Sequence, residues 1–335
     1  MLNFCILFNI SYLAKGLALH QSLINTCPNF TLYIFSFDDK VHQVLSGKKL
    51  LNVIVVPLAD VENQELSKVK TERSTAEYCW TCKPFIVQYI IDKFNADNCT
   101  YLDSDTFFYK NPNILIEEMG NASVLISPHN YLPRYNQSAM SGIYCGQLLT
   151  FKRTADGLKI LAWWKNACLT WCYDRYEDGK MSDQKYLDSW PYMFRGVHVC
   201  RNPGAGWAPW NADGHKKEDI ENLIFYHFHD LKYLSDSRWY LSGYDTPKFI
   251  VEKIYSPYIA LLKAISNEFD CPAALGPVSI DSFRMLNVTY RVKDYLRGII
   301  TAIENLTDAV FYIKKRRFYR NNFIKSGSPT IVESK

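Results

Sequence analysis

Short apolar runs alternate with longer stretches of helical spacing along the first 130 or so residues of the chain. Five such runs end on polar or turn residues: LNFCILFN, TLYIFSFDD, NVIVVPL, CTYLDSD and SVLISPH. Runs of this length, separated by helix-like stretches, predict the strands of an α/β sheet that helices cover on both faces. Ligands of such sheets gather at the carboxyl ends of the strands, where Asp38 and Asp39 follow the second run.

Helical spacing dominates the later part of the chain. A helix over 152–172 is indicated by apolar residues that recur on one face: Leu158, Leu161, Trp164, Cys168 and Trp171. The same kind of pattern predicts helices over 245–268 and 290–320. Because a single core stops growing near about 250–300 residues, the 335 residues predict a main domain over 1–240 and a helical C-terminal extension over 241–335.

Composition and charge narrow the classes of protein. A hydrophobic fraction of 48% and an aromatic fraction of 15% are typical of a folded globular protein. The formal charge of +4 is mild, so we expect no nucleic-acid partner.

Basic residues interleaved with aromatic ones at 314–322 allow two interpretations of 298–322. This segment is either a peripheral contact with an anionic membrane surface or a solvated helix end that packs on the core.

The first residues and the cysteines indicate the compartment. The apolar start MLNFCILFNISYLAKG is too short for a membrane span and lacks the features of a signal peptide. We therefore expect a cytoplasmic protein, with peripheral binding to the inner face of the membrane left open. The ten cysteines are then expected to be reduced and mostly buried. The alternative is a redox pair at Cys79 and Cys82, or a zinc site that Cys168 and Cys172 complete.

The motif Asp103-Ser104-Asp105 closes the fourth apolar run. Two carboxylates two residues apart at a strand end point the same way, so both can approach one hard divalent cation. Such a cation neutralises the charge that develops on a departing diphosphate. An ordinary acidic turn is the alternative, but the apolar residues on both sides favour a metal site.

A second motif, FYHFHDLKY, holds two histidines and a lysine. In an extended segment His227 and His229 face the same way, so either can supply a further metal ligand, while Lys232 can meet a diphosphate. In MSDQKYLDSW, Asp183 and Gln184 either cap a helix or lie over a ligand. The segment NPGAGWAPWN is either a structural turn or a binding loop whose indole faces stack on a sugar.

The order of these segments resembles that of bacterial-type glycosyltransferases with the A-type fold, distantly similar to glycosyltransferase family 8. The resemblance covers about residues 1–240 and includes FNISYLAKGLAL, YCWTCKPF, YLDSDTFFYKNP, GIYCGQLLTF, WCYDRYEDGKMSDQKYLDSWP, NPGAGWAPWN and FYHFHDLKY. It implies a Rossmann-like domain with a mixed central sheet that binds a UDP-sugar and Mn²⁺ or Mg²⁺, and transfer with retention of configuration. The acceptor it implies is a glycan or a lipid-linked glycan, as in polysaccharide biosynthesis.

The resemblance also assigns roles residue by residue. It implies that Asp103, Asp105 and His227 bind the metal, and that Asp183 and Gln184 lie beside the donor sugar as the catalytic pair. The residues that it places near the nucleotide are Phe8, Asn9, Tyr12, Asp38, Lys83, Ser104 and Lys232. Asp230 stands where the family pattern has glycine. A scaffold that keeps the fold and binds a sugar nucleotide or glycan without turnover is the alternative.

Overall fold

The computed structural model describes residues 1–234, 238–272 and 331–333. Its strands are β1 (Leu2–Phe8), β2 (Phe30–Ser36), β3 (Val53–Pro57), β4 (Asn98–Leu102), β5 (Thr106–Phe108), β6 (Val124–Pro128), β7 (Tyr144–Lys152), β8 (Val197–Val199), β9 (Phe225–His227), β10 (Lys232–Tyr233), β11 (Arg238–Tyr240) and β12 (Ile331–Glu333). Its α-helices are α1 (Leu13–Thr26), α2 (Asp39–Ser46), α3 (Gln64–Lys70), α4 (Thr75–Lys93), α5 (Asn113–Glu118), α6 (Ser138–Ser141), α7 (Ala155–Thr170), α8 (Trp190–Met193), α9 (Lys248–Ile250) and α10 (Ser256–Phe269).

Seven strands form one mixed sheet in the order β3-β2-β1-β4-β7-β6-β8. The first four of these are parallel to one another, as in a Rossmann-like half. β7 runs antiparallel to both β4 and β6, whereas β6 and β8 are parallel. This arrangement confirms the predicted α/β class with a mixed central sheet. Each of the five apolar runs is a strand of it, namely β1 to β4 and β6.

Hydrophobic residues cover both faces of the sheet. Successive side chains of a strand point to opposite sides, so each buried strand contributes to both clusters. In β1, Phe4 and Ile6 join one hydrophobic cluster, and Cys5 and Leu7 join the other. A strand that is covered on both faces has no polar side, which explains the continuous apolar runs.

The predicted helices also appear where the structure describes the chain. The expected helix over 152–172 is α7 (Ala155–Thr170), which Thr154 caps by accepting a hydrogen bond from Gly157 N. The expected helix over 245–268 contains α9, a π-helical turn at Val251–Tyr255 and α10. Pro257 lies in the first turn of α10 and has no N–H to donate. Ser256, which directly follows the π-helical turn, donates its hydroxyl to Val251 O at 2.9 Å.

The C-terminal part is described only in places. α10 packs against α1, and its buried residues Tyr258 and Leu262 join the cluster that contains β1. The expected helix over 290–320 and the basic segment 298–322 lie outside the described residues, and the division at residue 240 stays a prediction. No helix in the described ranges combines the length and the apolar character that crossing a bilayer requires.

Candidate active site at the end of β4

The acidic motif forms the turn between β4 and β5. Thr106 closes it by donating both its N–H and its hydroxyl to Asp103 O, at 3.1 and 2.8 Å. The neighbouring strand holds the turn in place, because Asp103 N donates to Gln147 O of β7 at 2.9 Å. Ser104 and Asp105 are both 7% exposed, while the Asp103 side chain is 24% exposed. The motif is thus fixed at the edge of the sheet with Asp103 as its most accessible acid.

A short two-stranded ladder brings a histidine to this turn. β5 pairs antiparallel with β9, and Thr106 is the register partner of His227. His227 Nε2 consequently lies 3.1 Å from Asp105 Oδ1 and 3.9 Å from Asp103 Oδ2. Burial lowers the pKa of His227, but Asp105 outweighs burial and raises it to about 10. Asp103 and Asp105 lie more than 120 positions before His227 in the sequence, and both approach the same imidazole nitrogen.

Lys83 of α4 connects the acidic motif to Asp183. Its Nζ lies 3.2 Å from Asp103 Oδ1 and 3.1 Å from Asp183 Oδ2, and it is 5% exposed. Burial lowers the pKa of Lys83, but the two carboxylates outweigh burial and raise it above its usual range. Burial raises the pKa of Asp183, and Lys83 opposes that rise. Tyr101 also donates to Asp103 Oδ1, at 2.9 Å.

Lys15 is a residue of this site that the sequence interpretation missed. It lies in the first turn of α1, is 1% exposed, and places Nζ 3.5 Å from Asp105 Oδ2. Burial lowers the pKa of Lys15, and Asp105 opposes that change. Burial alone would raise the pKa of Asp105, but His227 and Lys15 outweigh it and hold this pKa well below its usual range. The available signal was a lone charge in the apolar run SYLAKGLAL.

Gln184 is held beside the site by backbone groups. Its Oε1 accepts from Gly146 N at 3.2 Å, and its Nε2 donates to Ser141 O at 2.9 Å. Gly146 also lies against Asp183, since a Cβ at Gly146 would lie 3.2 Å from Asp183 Oδ2. Asp183 and Gln184 therefore occupy one corner with Lys83, and neither side chain caps a helix.

The residues expected near the nucleotide fall into two groups. Tyr12 belongs to the charged site, because Lys15 Nζ lies 4.6 Å from the centre of its ring. Asp38 accepts from Ile10 N and Val41 N, both at 2.9 Å, so its carboxylate fixes the loop after β1 and caps α2. Asn9 caps the turn at Ile10–Tyr12. The Phe8 side chain is 2% exposed and packs in the core, which leaves only its backbone for contact with a ligand.

The remaining predicted residues lie beyond His227. His229 is exposed, with its ring centre 5.6 Å from that of His227. Lys232 forms an ion pair with Asp230. Asp230 has a positive φ of 65°, a left-handed conformation that favours glycine. At the position where the family pattern has glycine, this chain thus has a strained acid that holds the lysine expected to meet the diphosphate.

The segment NPGAGWAPWN is a structural turn. Trp207 and Trp210 are 2% and 4% exposed, so their indole faces are not available for stacking on a sugar. Trp207 stacks on His215 at 3.7 Å between ring centres, and Trp210 donates to His129 O at 2.6 Å. The turn still supports the site, because His227 N donates to Trp207 O at 2.8 Å.

Neither the redox pair at Cys79 and Cys82 nor the zinc site at Cys168 and Cys172 finds support in the described residues. All ten lie in the described ranges and have free thiols, and nine of them are buried. Burial raises the pKa of Cys79 to about 12 and also raises that of Cys82, which disfavours the reactive thiolate. In the described part of the chain, no group of three or more His, Cys, Asp or Glu side chains is arranged to hold a metal ion.

Comparison with known proteins gives two relatives in sequence. The chain is 31% identical to the uncharacterized protein YfnF of Bacillus subtilis (strain 168) over 249 residues, which cover 69% of this chain and 82% of YfnF. It is 28% identical to the uncharacterized protein YfnD of the same organism over 275 residues, which cover 78% of this chain and 88% of YfnD. No protein-family model matches the chain.

Several solved structures to which the chain is similar in fold are glycosyltransferases. The glycosyltransferase GlyE of Streptococcus pneumoniae TIGR4 matches with a TM-score of 0.46 and 14% identity, over 80% of this chain and 64% of GlyE. A likeness at this level does not transfer a substrate or a residue role.

Proposed function

This chain belongs to the family of the Bacillus subtilis protein YfnF, and we propose that it is a metal-dependent glycosyltransferase. In this proposal the donor is a UDP-sugar, the acceptor is a glycan or a lipid-linked glycan, and the sugar is transferred with retention of its anomeric configuration. The turn at Asp103–Asp105 is the centre of the site.

One observation carries the proposal, namely the convergence of three carboxylates on one edge of the sheet. Asp103 and Asp105 come from the turn after β4, and Lys83 connects Asp103 to Asp183 through contacts of 3.2 and 3.1 Å. Burying acidic side chains in ion pairs with lysines is unfavourable for folding stability. Such a cluster is therefore more typical of a functional site than of an ordinary surface turn. The sequence resemblance supplies the reaction class, and the cluster supplies the groups that such a reaction needs.

The donor set fits a hard divalent cation in its chemistry. Asp103 and Asp105 would hold it, and His227 would join them after its imidazole loses the proton that Asp105 stabilises, since carboxylate oxygens and a neutral imidazole nitrogen both suit Mn²⁺. In the described structure these side chains are paired with one another and with Lys15 and Lys83, and they are not arranged as a set of three ligands. The proposal therefore requires nucleotide phosphates to supply the remaining ligands. When bound, the cation would neutralise the negative charge that develops on the departing diphosphate.

The side chains of this protein have separate tasks in the proposal. Asp183 and Gln184 orient the donor sugar and stabilise positive charge at its anomeric carbon, with Gln184 held by Gly146 N and Ser141 O. Lys83 fixes the carboxylate of Asp183 through a contact of 3.1 Å. Lys232 contacts the diphosphate after it leaves its ion pair with Asp230.

Release of UDP from a panel of UDP-sugars, with and without Mn²⁺, tests the proposal. We expect slow, Mn²⁺-dependent release from at least one sugar, and its loss in Asp183→Asn. Asp156→Asn is a matched control, because Asp156 is an exposed acid in the first turn of α7. Release that is equally fast in Asp183→Asn would contradict the assignment of the catalytic pair. Metal-dependent UDP binding without release or transfer from any sugar would favour the non-catalytic scaffold.

A further inference from the structure

Lys15 is the most deeply buried charged group at the site. Its side chain is 1% exposed, and Nζ lies 3.5 Å from Asp105 Oδ2. Burying an ammonium without a counter-ion is very costly, so Asp105 is the group that permits this lysine in the first turn of α1. Both partners of this ion pair are buried, because the Asp105 side chain is only 10% exposed.

The lysines neutralise most of the charge on the acidic cluster before any ligand arrives. Asp103, Asp105 and Asp183 contribute three negative charges, and Lys15 and Lys83 contribute two positive charges within 3.5 Å of them. His227 contacts the same two acids of the turn. A divalent cation that enters beside Asp105 therefore meets an ammonium group in a poorly hydrated site, where like charges repel strongly.

We propose that Lys15 is a positioning residue that serves as the built-in counter-cation of Asp105, so that the ligand-free site binds Mn²⁺ weakly and takes it up together with UDP. The inference rests on the proposed function and deepens it. UDP brings the negative charge of its diphosphate, which restores a favourable balance for a divalent cation between the phosphates and the two acids. The cation and the nucleotide then bind cooperatively, each raising the affinity for the other by the same factor.

Mn²⁺ affinity in the absence of UDP separates this role from a merely structural one. A lysine that only supports the fold would leave Mn²⁺ binding unchanged or weaken it when removed. A counter-cation acts in the opposite direction, because its removal frees a carboxylate oxygen of Asp105 and removes a like charge. Loss of one residue should therefore increase an affinity, a result that a damaged site does not give.

The experiment titrates Mn²⁺ into the full-length protein and follows free Mn²⁺ by electron paramagnetic resonance, with and without UDP. We expect Lys15→Met to bind Mn²⁺ without UDP at least about tenfold more tightly than the wild type. Lys159→Met is the matched control, because it removes an exposed lysine of α7. Lys15→Gln, which keeps a polar end, replaces Lys15→Met if near-ultraviolet circular dichroism shows that the latter has lost its native packing.

The outcomes distinguish the inference from the proposed function. If wild-type protein binds Mn²⁺ tightly only with UDP, and neither Lys15 variant binds it more tightly without UDP, the inference is wrong and the proposed function stands. Wild-type affinity for Mn²⁺ that is equal with and without UDP would also overturn the inference. Absence of Mn²⁺ binding by the wild type under both conditions would remove the metal-dependent function, and the inference with it.

Discussion

Lys83 is the residue through which the two acidic parts of the site depend on each other. It is 5% exposed and lies within 3.2 Å of both Asp103 and Asp183. Removing one partner of a buried ion pair leaves the other charge without compensation, which costs about 3–5 kcal/mol. Because burial raises the pKa of Asp183, this acid loses most when the lysine is removed.

We expect Lys83→Met to lower the free energy of unfolding by about 3 kcal/mol, since Asp183 then remains buried without its cation. Urea denaturation of the wild type, Lys83→Met and Lys159→Met measures the change. Lys83→Arg should recover part of the loss, because it keeps the charge. A loss for Lys83→Met no larger than that for the exposed control would show that the bridge does not stabilise the fold.

Asp230 offers a gain-of-affinity test at a second residue. Its carboxylate pairs with Lys232, and both side chains are partly exposed. We expect Asp230→Asn to tighten Mn²⁺-dependent UDP binding about two- to fivefold, a modest effect because exposed ion pairs are weak. Asp230→Gly should do the same and also relieve the strain at φ 65°. Weaker UDP binding in both variants, measured by isothermal titration, would mean that Asp230 assists the nucleotide and does not compete with it.

Residue types explain what the sequence could predict of the site. Asp103, Asp105 and His227 were identified because carboxylates and histidines carry a recognisable chemistry, and the structure brings these three together. Lys15 could not be identified, since its contact with Asp105 joins the start of α1 to a turn 90 residues later. Phe8 was expected near the nucleotide, but the identity of a residue does not reveal which face of a strand it occupies.

Among the elements, α1 packs closely against the ring of Phe8, the last residue of β1, at the position of Gly16. A Cβ added at Gly16 would lie 2.3 Å from Phe8 Cε1. We expect Gly16→Ala to destabilise the protein by about 1–3 kcal/mol through overpacking, although alanine is the better helix former by about 1 kcal/mol. Gly47→Ala is the control, because nothing lies within 4 Å of that position. Thermal denaturation that shows Gly16→Ala to be as stable as the wild type would contradict the close packing.

The start of α4 predicts a pH dependence of stability. Ser74 and Glu77 form a capping box, and Glu77 also accepts from Asp174 N at 2.7 Å. Burial raises the pKa of Glu77, but these hydrogen bonds outweigh it and lower the pKa from 4.5. A lowered pKa in the folded state means that the stabilisation is present above pH 4.5 and is lost as the pH falls through the folded value.

We therefore expect Glu77→Ala to be less stable than the wild type by about 1 kcal/mol at pH 6. The two proteins should approach equal stability as the pH falls from 4.5 towards 3, as followed by urea denaturation. A difference that stays constant over this range would show that the Glu77 charge does not contribute.

The elements differ in how well periodicity predicts them. Runs that are apolar throughout, such as those of β1 and β2, predict strands of a sheet that is covered on both faces. The apolar residues of α7 recur at helical spacing, which predicts a helix. The pairing of β5 with β9 was not predictable, because each strand has only three residues and the partners are far apart in sequence. That pairing is the one that brings His227 to the site.

At the scale of the whole molecule, the mild net charge conceals a local concentration of charge. The chain has 38 basic and 34 acidic Lys, Arg, Asp and Glu residues, yet the turn after β4 gathers buried acids and lysines within 3.5 Å of one another. Fields of this kind focus in clefts with walls of low dielectric constant and act on charged ligands. The concentration of charge is therefore a property of this edge of the sheet and is not visible in the overall composition.

Isothermal titration of UDP into the purified protein, with Mn²⁺ and again with EDTA, tests whether the turn at Asp103–Asp105 binds a nucleotide through a metal ion. We expect binding in Mn²⁺, no detectable binding in EDTA, and affinity at least about tenfold weaker in Asp105→Asn, because a ligand of the cation is then lost. Asp156→Asn should match the wild type. Equal binding of UDP in Mn²⁺ and EDTA, unchanged in Asp105→Asn, would show that the turn at Asp103–Asp105 is not a metal-dependent nucleotide-sugar site.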